Sequence, residues 1–180
     1  MDELYLRRSV RSYLDKPVER EKLIDVIKAG TCAPSAMNNN ERQFTAIVNK
    51  DVKAQLCKAV WDTLDKSFRD RILGRTGGAP SFFYDAPVLI IVSTDPFAHC
   101  PAADCAVALE NMFLKATELG LATCWINQLV STCDSPEIRE VLGIAGVPAT
   151  HKVYGACALG YSDVPSKKIT EKENKIVICD

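Results

Sequence analysis

The stretch from Ala102 to Leu119 is apolar on most of its sides, and no other part of the 180-residue chain limits the fold so strongly. A helix with one apolar stripe can lie on a surface, whereas one that is apolar nearly all round must be covered from several directions. It therefore predicts the spine of a core. Val88 to Ser93, just before it, is a fully apolar run bounded by Pro87 and by Asp95-Pro96, the composition of a strand buried on both faces. Ala122 to Ile126, just after it, reads as another strand. A buried helix between two such strands predicts a layered domain with helices on both faces of a sheet.

The remaining elements follow from periodicity and breakers. Leu4 to Arg8 predicts a short helix, and a second follows Pro17, with Leu23, Val26 and Ile27 on one face and Gly30 as its end. Phe44 to Val48 has strand composition; Val52, Leu56, Ala59 and Val60 then repeat at helical spacing. Ser135-Pro136 marks a helix start with Pro in the first turn, and Val153 to Leu159 is a last core strand. Residues 62–85 are charged and then Gly-rich, with Gly77-Gly78-Ala79-Pro80 ahead of Phe82-Phe83-Tyr84, so they suit a mobile lid whose aromatics cover a bound group. In the tail, Lys175 to Cys179 has strand composition, and an apolar strand at a chain end must pair with something. With no repeat or low-complexity stretch, residues 1–180 read as one domain.

Composition removes several classes of function. At 47% hydrophobic content and a formal net charge of −1, the chain can bury a core but has no long-range field for nucleic acid or an anionic membrane. No apolar run approaches the roughly 20 residues of a spanning helix, and Met-Asp-Glu is not a secretory start, so a cytoplasmic protein is expected. Eight cysteines form no Cys-x-x-Cys pair; Cys105, Cys124 and Cys157 sit in apolar runs where a thiol acts as a small hydrophobe. His99-Cys100 and Asp104-Cys105 crowd metal-capable groups together, but a zinc site needs at least one more ligand, and no metal is expected. His99 and His151 have no neighbouring nucleophile, so a hydrolase triad is unsupported.

Chemistry concentrates in two segments. Arg7-Arg8-Ser9-Val10-Arg11 sets three fixed positive charges around a hydroxyl, and forked guanidinium donors suit a phosphate dianion better than a lone Lys does. Ala33-Pro34-Ser35-Ala36-Met37-Asn38-Asn39-Asn40 offers small residues and amides that can lie against a planar ring and satisfy its polar edge. Each segment alone has a plain structural reading: solvated charges at a helix end, and a polar turn.

Their combination resembles the FMN-dependent nitroreductase family. The likeness continues through Gly120-Leu121-Ala122-Thr123-Cys124-Trp125-Ile126, Leu142-Gly143-Ile144, Ala158-Leu159-Gly160-Tyr161 and Pro165-Ser166-Lys167-Lys168, in order and nearly end to end. It implies an α+β fold: a three-layer sandwich with a central mixed, mainly antiparallel sheet flanked by helices, assembled as a homodimer. It also implies a bound FMN reduced by NAD(P)H (NADH or NADPH), with ping-pong transfer to a nitroaromatic, quinone or similar electron-poor acceptor. Arg7, Arg8, Ser9 and Val10 then face the phosphate and ribityl chain, joined by Lys167 or Lys168, while Arg11 lies near the ring's N1 and O2. Pro34, Ser35, Ala36 and Asn38 line the ring from the partner subunit, Trp125, Ile126 and Asn127 meet its N5 and O4 edge, and residues 169–180 reach the partner. No side chain needs to act as a catalytic acid or base, because the flavin carries the hydride chemistry.

Three departures from the family pattern are visible. Asn40-Glu41-Arg42 replaces a Gln-Pro-Trp common in the family, Ala122 replaces a Gly, and Lys167-Lys168-Ile169 lacks an accompanying Arg. The first leaves open an FMN-storage or sensing protein without nicotinamide turnover. A thiol- or metal-based protein built on the cysteines around Cys100 is a third possibility. Asp104 reads most simply as an N-cap for the long helix.

Overall fold

The computed structural model describes residues 2–165 and 175–179. These hold four strands, β1 (Gln43–Ile47), β2 (Val88–Thr94), β3 (Ala122–Ile126) and β4 (Lys152–Gly160). They also hold α1 (Glu3–Leu6), α2 (Arg20–Thr31), α3 (Lys50–Thr63), α4 (Lys66–Thr76), α5 (Pro101–Glu118), α6 (Gln128–Thr132) and α7 (Pro136–Ile144), with a single 3-10 turn at Ala36–Asn38. The sheet order is β1-β2-β4-β3, and every adjacent pair is antiparallel. The expectation of a mixed sheet is corrected for these strands, and the connections give the reason. Joined through α5, β2 and β3 run the same way, as strands linked by a helical crossover do. The last strand, β4, inserts between them, and each contact becomes antiparallel. Among the described residues the one parallel pairing is an isolated bridge between Ser9 and Thr123.

All seven positions of β2 are buried, and strand alternation divides them between two apolar clusters. Leu89 and Ile91 meet Leu56 and Val60 of α3, Leu129 of α6, and Ile138 and Leu142 of α7. Val88, Ile90 and Val92 point the other way, to Leu23 and Val26 of α2 and to Leu109, Met112 and Phe113 of α5. Each fully covered Leu or Ile contributes roughly 1.5–3 kcal/mol. The long helix is thus covered by the sheet and by α2, as its composition requires. Gly30 falls inside the last turn of α2, where a Cβ would stand 2.8 Å from Phe44 Cε1 and 2.9 Å from Met112 Cγ. It serves close packing, and the helix continues to Thr31.

Two parts differ from the sequence reading. Within residues 62–85 lies α4, capped at its start by Asp65, whose Oδ1 accepts the Phe68 N–H at 2.9 Å, and closed by Gly77 at φ 67°. Phe82 and Phe83 then enter the core in edge-to-face contact, 4% exposed each. These two rings plug the sheet's α3 side as part of the core, whereas Tyr84 stays half-buried. The tail segment Lys175–Cys179 has no regular structure, and Ile176, Val177 and Ile178 are exposed. No helix among the described residues is long and apolar enough to cross a membrane.

Candidate functional site

The helix α1 ends at Leu6, two residues short of the predicted limit, because Arg7 turns to ψ 133°. The chain then runs extended along the outer edge of β3. Ser9 bridges Thr123, the Val10 N–H donates to the Thr123 carbonyl at 2.9 Å, and the Leu14 N–H reaches the Tyr161 carbonyl at 2.8 Å. Tyr13 locks this path: its hydroxyl donates to the carbonyls of Val10 (2.9 Å) and Ala158 (3.2 Å). Burial pushes the Tyr13 phenol far above its ordinary value, so it stays a donor.

The three predicted arginines have different surroundings. Arg7 Nε pairs with Glu110 of α5 at 3.2 Å. Arg8 folds back, its Nη1 donating to the carbonyls of Tyr5 (2.8 Å) and Arg7 (2.7 Å), which satisfies the C-terminal end of α1. Arg11 is exposed and makes only a long bond to the Ser9 carbonyl, 3.4 Å, with its guanidinium 5.9 Å from the centre of the Tyr84 ring. Partial burial works against its charge, but Tyr84, Cys124 and Tyr13 together outweigh that effect, so it titrates above the ordinary Arg value. Burial raises the Cys124 thiol, and Arg11, Arg75 and Arg7 oppose that shift electrostatically. Three guanidinium groups therefore act electrostatically on one residue of β3. Among the described residues neither Arg11 nor Arg75 has a carboxylate partner within 4 Å. Arg75 comes from α4 and carries no local sequence signal.

On β3 itself, Ile126 is buried in the core, whereas Trp125 is 37% exposed, stacked edge-on to Phe113 with ring centres 6.1 Å apart. Trp125 Nε1 donates to Asn127 Oδ1 at 3.4 Å, and Asn127 is exposed just past the strand end. The structure thus lays Ser9 and Val10 against Thr123 of β3, the strand that carries Trp125 and leads into Asn127, while Ile126 belongs to the core.

The 33–40 loop is held elsewhere, at the N-terminal end of α5. The Ala36 N–H donates to both carboxylate oxygens of Asp104, at 3.1 and 3.2 Å. Asp104 is therefore a clamp on this loop and not the expected N-cap; Cys100 occupies the capping position. The Ser35 hydroxyl accepts the Asn40 N–H at 3.1 Å, and Asn40 Nδ2 donates to the Asn38 carbonyl at 3.1 Å. Met37, Asn38 and Asn40 all have positive φ, near 55°. Arg42, one of the departures from the family pattern, supplies the outer frame. Its Nη1 donates to the Pro34 and Asp104 carbonyls at 2.9 Å each, and its Nη2 donates to the Ala33 carbonyl at 2.8 Å and to Asn40 Oδ1 at 3.2 Å. The loop's shape thus rests on Arg42 and Asp104, which lie 62 positions apart in sequence. Lys167 and Lys168 lie outside the described residues.

The metal-capable cluster does not converge. Cys105 is buried and pushed up to about 12 by that burial, Asp104 is engaged with Ala36, and His99 and Cys100 are exposed. Among the described residues no group of three His, Cys, Asp or Glu side chains is placed to hold a metal ion.

Residues 4–161 match the model of the nitroreductase family. A crystal structure of a nitroreductase with bound FMN from Bacteroides fragilis superposes with a TM-score of 0.86 at 40% identity, covering 99% of this chain and 97% of that one. A protein of Archaeoglobus fulgidus provisionally named NADH dehydrogenase/NAD(P)H nitroreductase is 28% identical over 163 residues, 88% of this chain and 82% of its own. An iodotyrosine deiodinase of Thermotoga neapolitana is 25% identical over 177 residues, 93% of this chain and 90% of its own. With the sheet order, the arginine-bearing edge and the clamped Ser/Asn loop already in place, the chain belongs to the nitroreductase family.

Proposed function

We propose that this chain is an FMN-dependent oxidoreductase that takes electrons from NADH or NADPH and delivers them to an electron-poor acceptor such as a nitroaromatic or quinone, in a ping-pong cycle. The observation that supports the reading is the lacing of Ser9 and Val10 onto β3, next to an Arg11 that has no carboxylate partner within 4 Å among the described residues. The donor set fits FMN. Arg7 keeps its terminal nitrogens for a phosphate beside Ser9, and Arg75 adds charge from α4. Arg11 supplies a permanent positive charge for the N1 and O2 side of a ring. When bound, FMN supplies the hydride chemistry. A cation beside its pyrimidine edge stabilises negative charge there and favours the reduced form. The residues of this chain bind and orient; none needs to exchange a proton.

The proposal includes a homodimer with the site at its interface, in which Pro34, Ser35, Ala36 and Asn38 of one protomer back the ring held by the other, as the family resemblance implies. Exposed apolar side chains support that assembly: Met37 on the loop, Val107 on the outer face of α5, and Leu4 and Tyr5 on α1. Lys167 or Lys168 completes the phosphate site in this reading, the tail from 169 reaches the partner, and the enzyme works in the cytoplasm. The name of the Thermotoga relative widens the range of acceptors in the family to an iodinated phenol, which leaves this chain's own acceptor to be found by assay. The test is an absorbance spectrum of purified protein. A flavin spectrum bleached anaerobically by NADH or NADPH and restored by menadione or a nitrofuran is expected. Colourless protein that gains no spectrum with added FMN overturns the proposal.

A further inference from the structure

Away from the flavin edge and the Ser/Asn loop, the described chain forms a half-open concavity of about 970 Å³. It lies between the strap 13–18, one face of α3 and the turn 80–88, and none of Arg7–Arg11, Pro34–Asn40 or Trp125–Asn127 borders it. Helical spacing explains its wall. Lys50, Lys53, Ala54, Cys57, Lys58 and Trp61 line it and recur at three- and four-residue intervals, so they form a single stripe of α3. The stripe through Leu56 and Val60 faces the core. In the middle of the cavity stripe stand Ala54 and Cys57, small side chains that leave the space open. Trp61 and Phe83 give it aromatic walls, and Leu14, Val18, Val48 and Val88 give it aliphatic ones.

Of the charged side chains that line it, Asp15, Lys50, Lys58 and Asp85 are exposed and Lys53 is buried. Lys53 is 7% exposed, and its ammonium donates to the Ala86 carbonyl at 2.9 Å and to the Pro87 carbonyl. Two of its three protons are thereby used. Among the described residues no carboxylate lies within ion-pair distance of it, whereas Lys50 has Asp15 at 3.6 Å and Lys58 has Asp62. A buried ammonium without a counter-ion is costly unless an anion completes it. Burial holds the Lys53 pKa below its ordinary value, with Lys50 adding to the shift and the more distant Asp85 and Asp15 opposing it. An apolar chamber with few convergent polar groups and one perturbed titratable residue has the general form of a small-molecule site.

We propose that this cavity is a second ligand site, for a small amphipathic carboxylate: an alkyl or aryl body between Trp61, Phe83 and Val18, and a carboxylate on the third proton of Lys53. It is separate from the flavin reading and holds whether or not that reading does. Tyr13 is the shared wall, since its ring borders the cavity and its hydroxyl holds the Val10 carbonyl beside Arg11.

The test is calorimetric titration of the purified full chain with octanoate and with 1-octanol, which share a tail and differ in charge. Octanoate is expected to bind at least about tenfold more tightly, the ratio that about 1.4 kcal/mol of head-group preference produces. Lys53→Met is expected to abolish that preference while octanol still binds. Ala54→Trp, at a solvent-exposed helix position on the cavity wall, is expected to remove both ligands without changing flavin content or the circular dichroism spectrum. Equal affinity for the two probes in the unaltered chain overturns the proposal. So does octanoate binding that survives Ala54→Trp, or no heat from octanoate up to millimolar concentration.

Discussion

Gly155 shows how tightly this molecule is fitted at the level of single atoms. A Cβ there would stand 2.6 Å from Leu109 Cδ1 and 3.1 Å from the Trp125 ring, so β4 carries no side chain where α5 and the exposed tryptophan close over it. Gly155→Ala is expected to lower unfolding free energy by about 1–3 kcal/mol, measured by urea denaturation, and to shift Trp125 fluorescence. Arg42 is a second such point, because its planar fork meets four acceptors that an ammonium cannot serve together. Arg42→Lys is expected to weaken FMN binding about tenfold or more in a fluorescence titration, with secondary structure retained; unchanged affinity would show that the loop needs no frame. Neither residue announces itself in the sequence. The RRSVR and APSAMN segments are legible because each is a short run that carries its own chemistry, charges in the first and amides in the second. The Arg42–Asp104 frame joins positions that only the folded chain brings together. The thiols are ranked by burial: Cys105, Cys124, Cys133 and Cys157 are buried, and burial raises the pKa of each. Ellman's reagent at pH 8 is expected to leave these four unreacted until denaturant is added, while Cys32 and Cys100 react at once.

Among the elements, legibility follows the amount of apolar surface each one buries. The predicted limits of β2, β3 and β4 fall within a residue of those observed, because a strand buried on both faces writes an unbroken apolar run. The helix α4 was hidden for the opposite reason. It buries only Ile72, and Lys66, Arg69, Asp70, Arg71 and Arg75 give it the composition of a loop. Its ends hold it in place of a core. Gly77 at φ 67° closes it in a conformation that costs a side-chain-bearing residue, so Gly77→Ala is expected to destabilise the protein by about 1 kcal/mol in thermal or denaturant unfolding. Asp65 opens it, with its carboxyl held below the usual Asp range chiefly by the Phe68 N–H. A carboxyl with a depressed folded pKa stabilises the fold above its unfolded pKa and ceases to do so as pH falls through the folded value. The Tm difference between wild type and Asp65→Ala is therefore expected to be present at pH 7 and to close in the acid range below the ordinary Asp pKa. A difference that is constant with pH would remove charge from the explanation.

For the molecule as a whole, the sheet order sets the terms of assembly. The outer strands differ: β3 has its free edge partly covered by Ser9 and Val10, whereas β1 shows no further partner among the described residues. An uncovered edge and an exposed Ile176-Val177-Ile178 segment in one chain both fit an assembly larger than the monomer. Light scattering of the purified protein is expected to give twice the chain mass, and a monomer would remove the interface on which the proposed flavin site depends.

The insertion of β4 also fixes a timetable. On the ribosome, β2 and β3 emerge before β4, so the strand that joins them completes the sheet only once Lys152–Gly160 has cleared the exit tunnel. A stop codon placed just before Lys152 is thus expected to yield a polypeptide that has every other described strand and helix and no closed sheet.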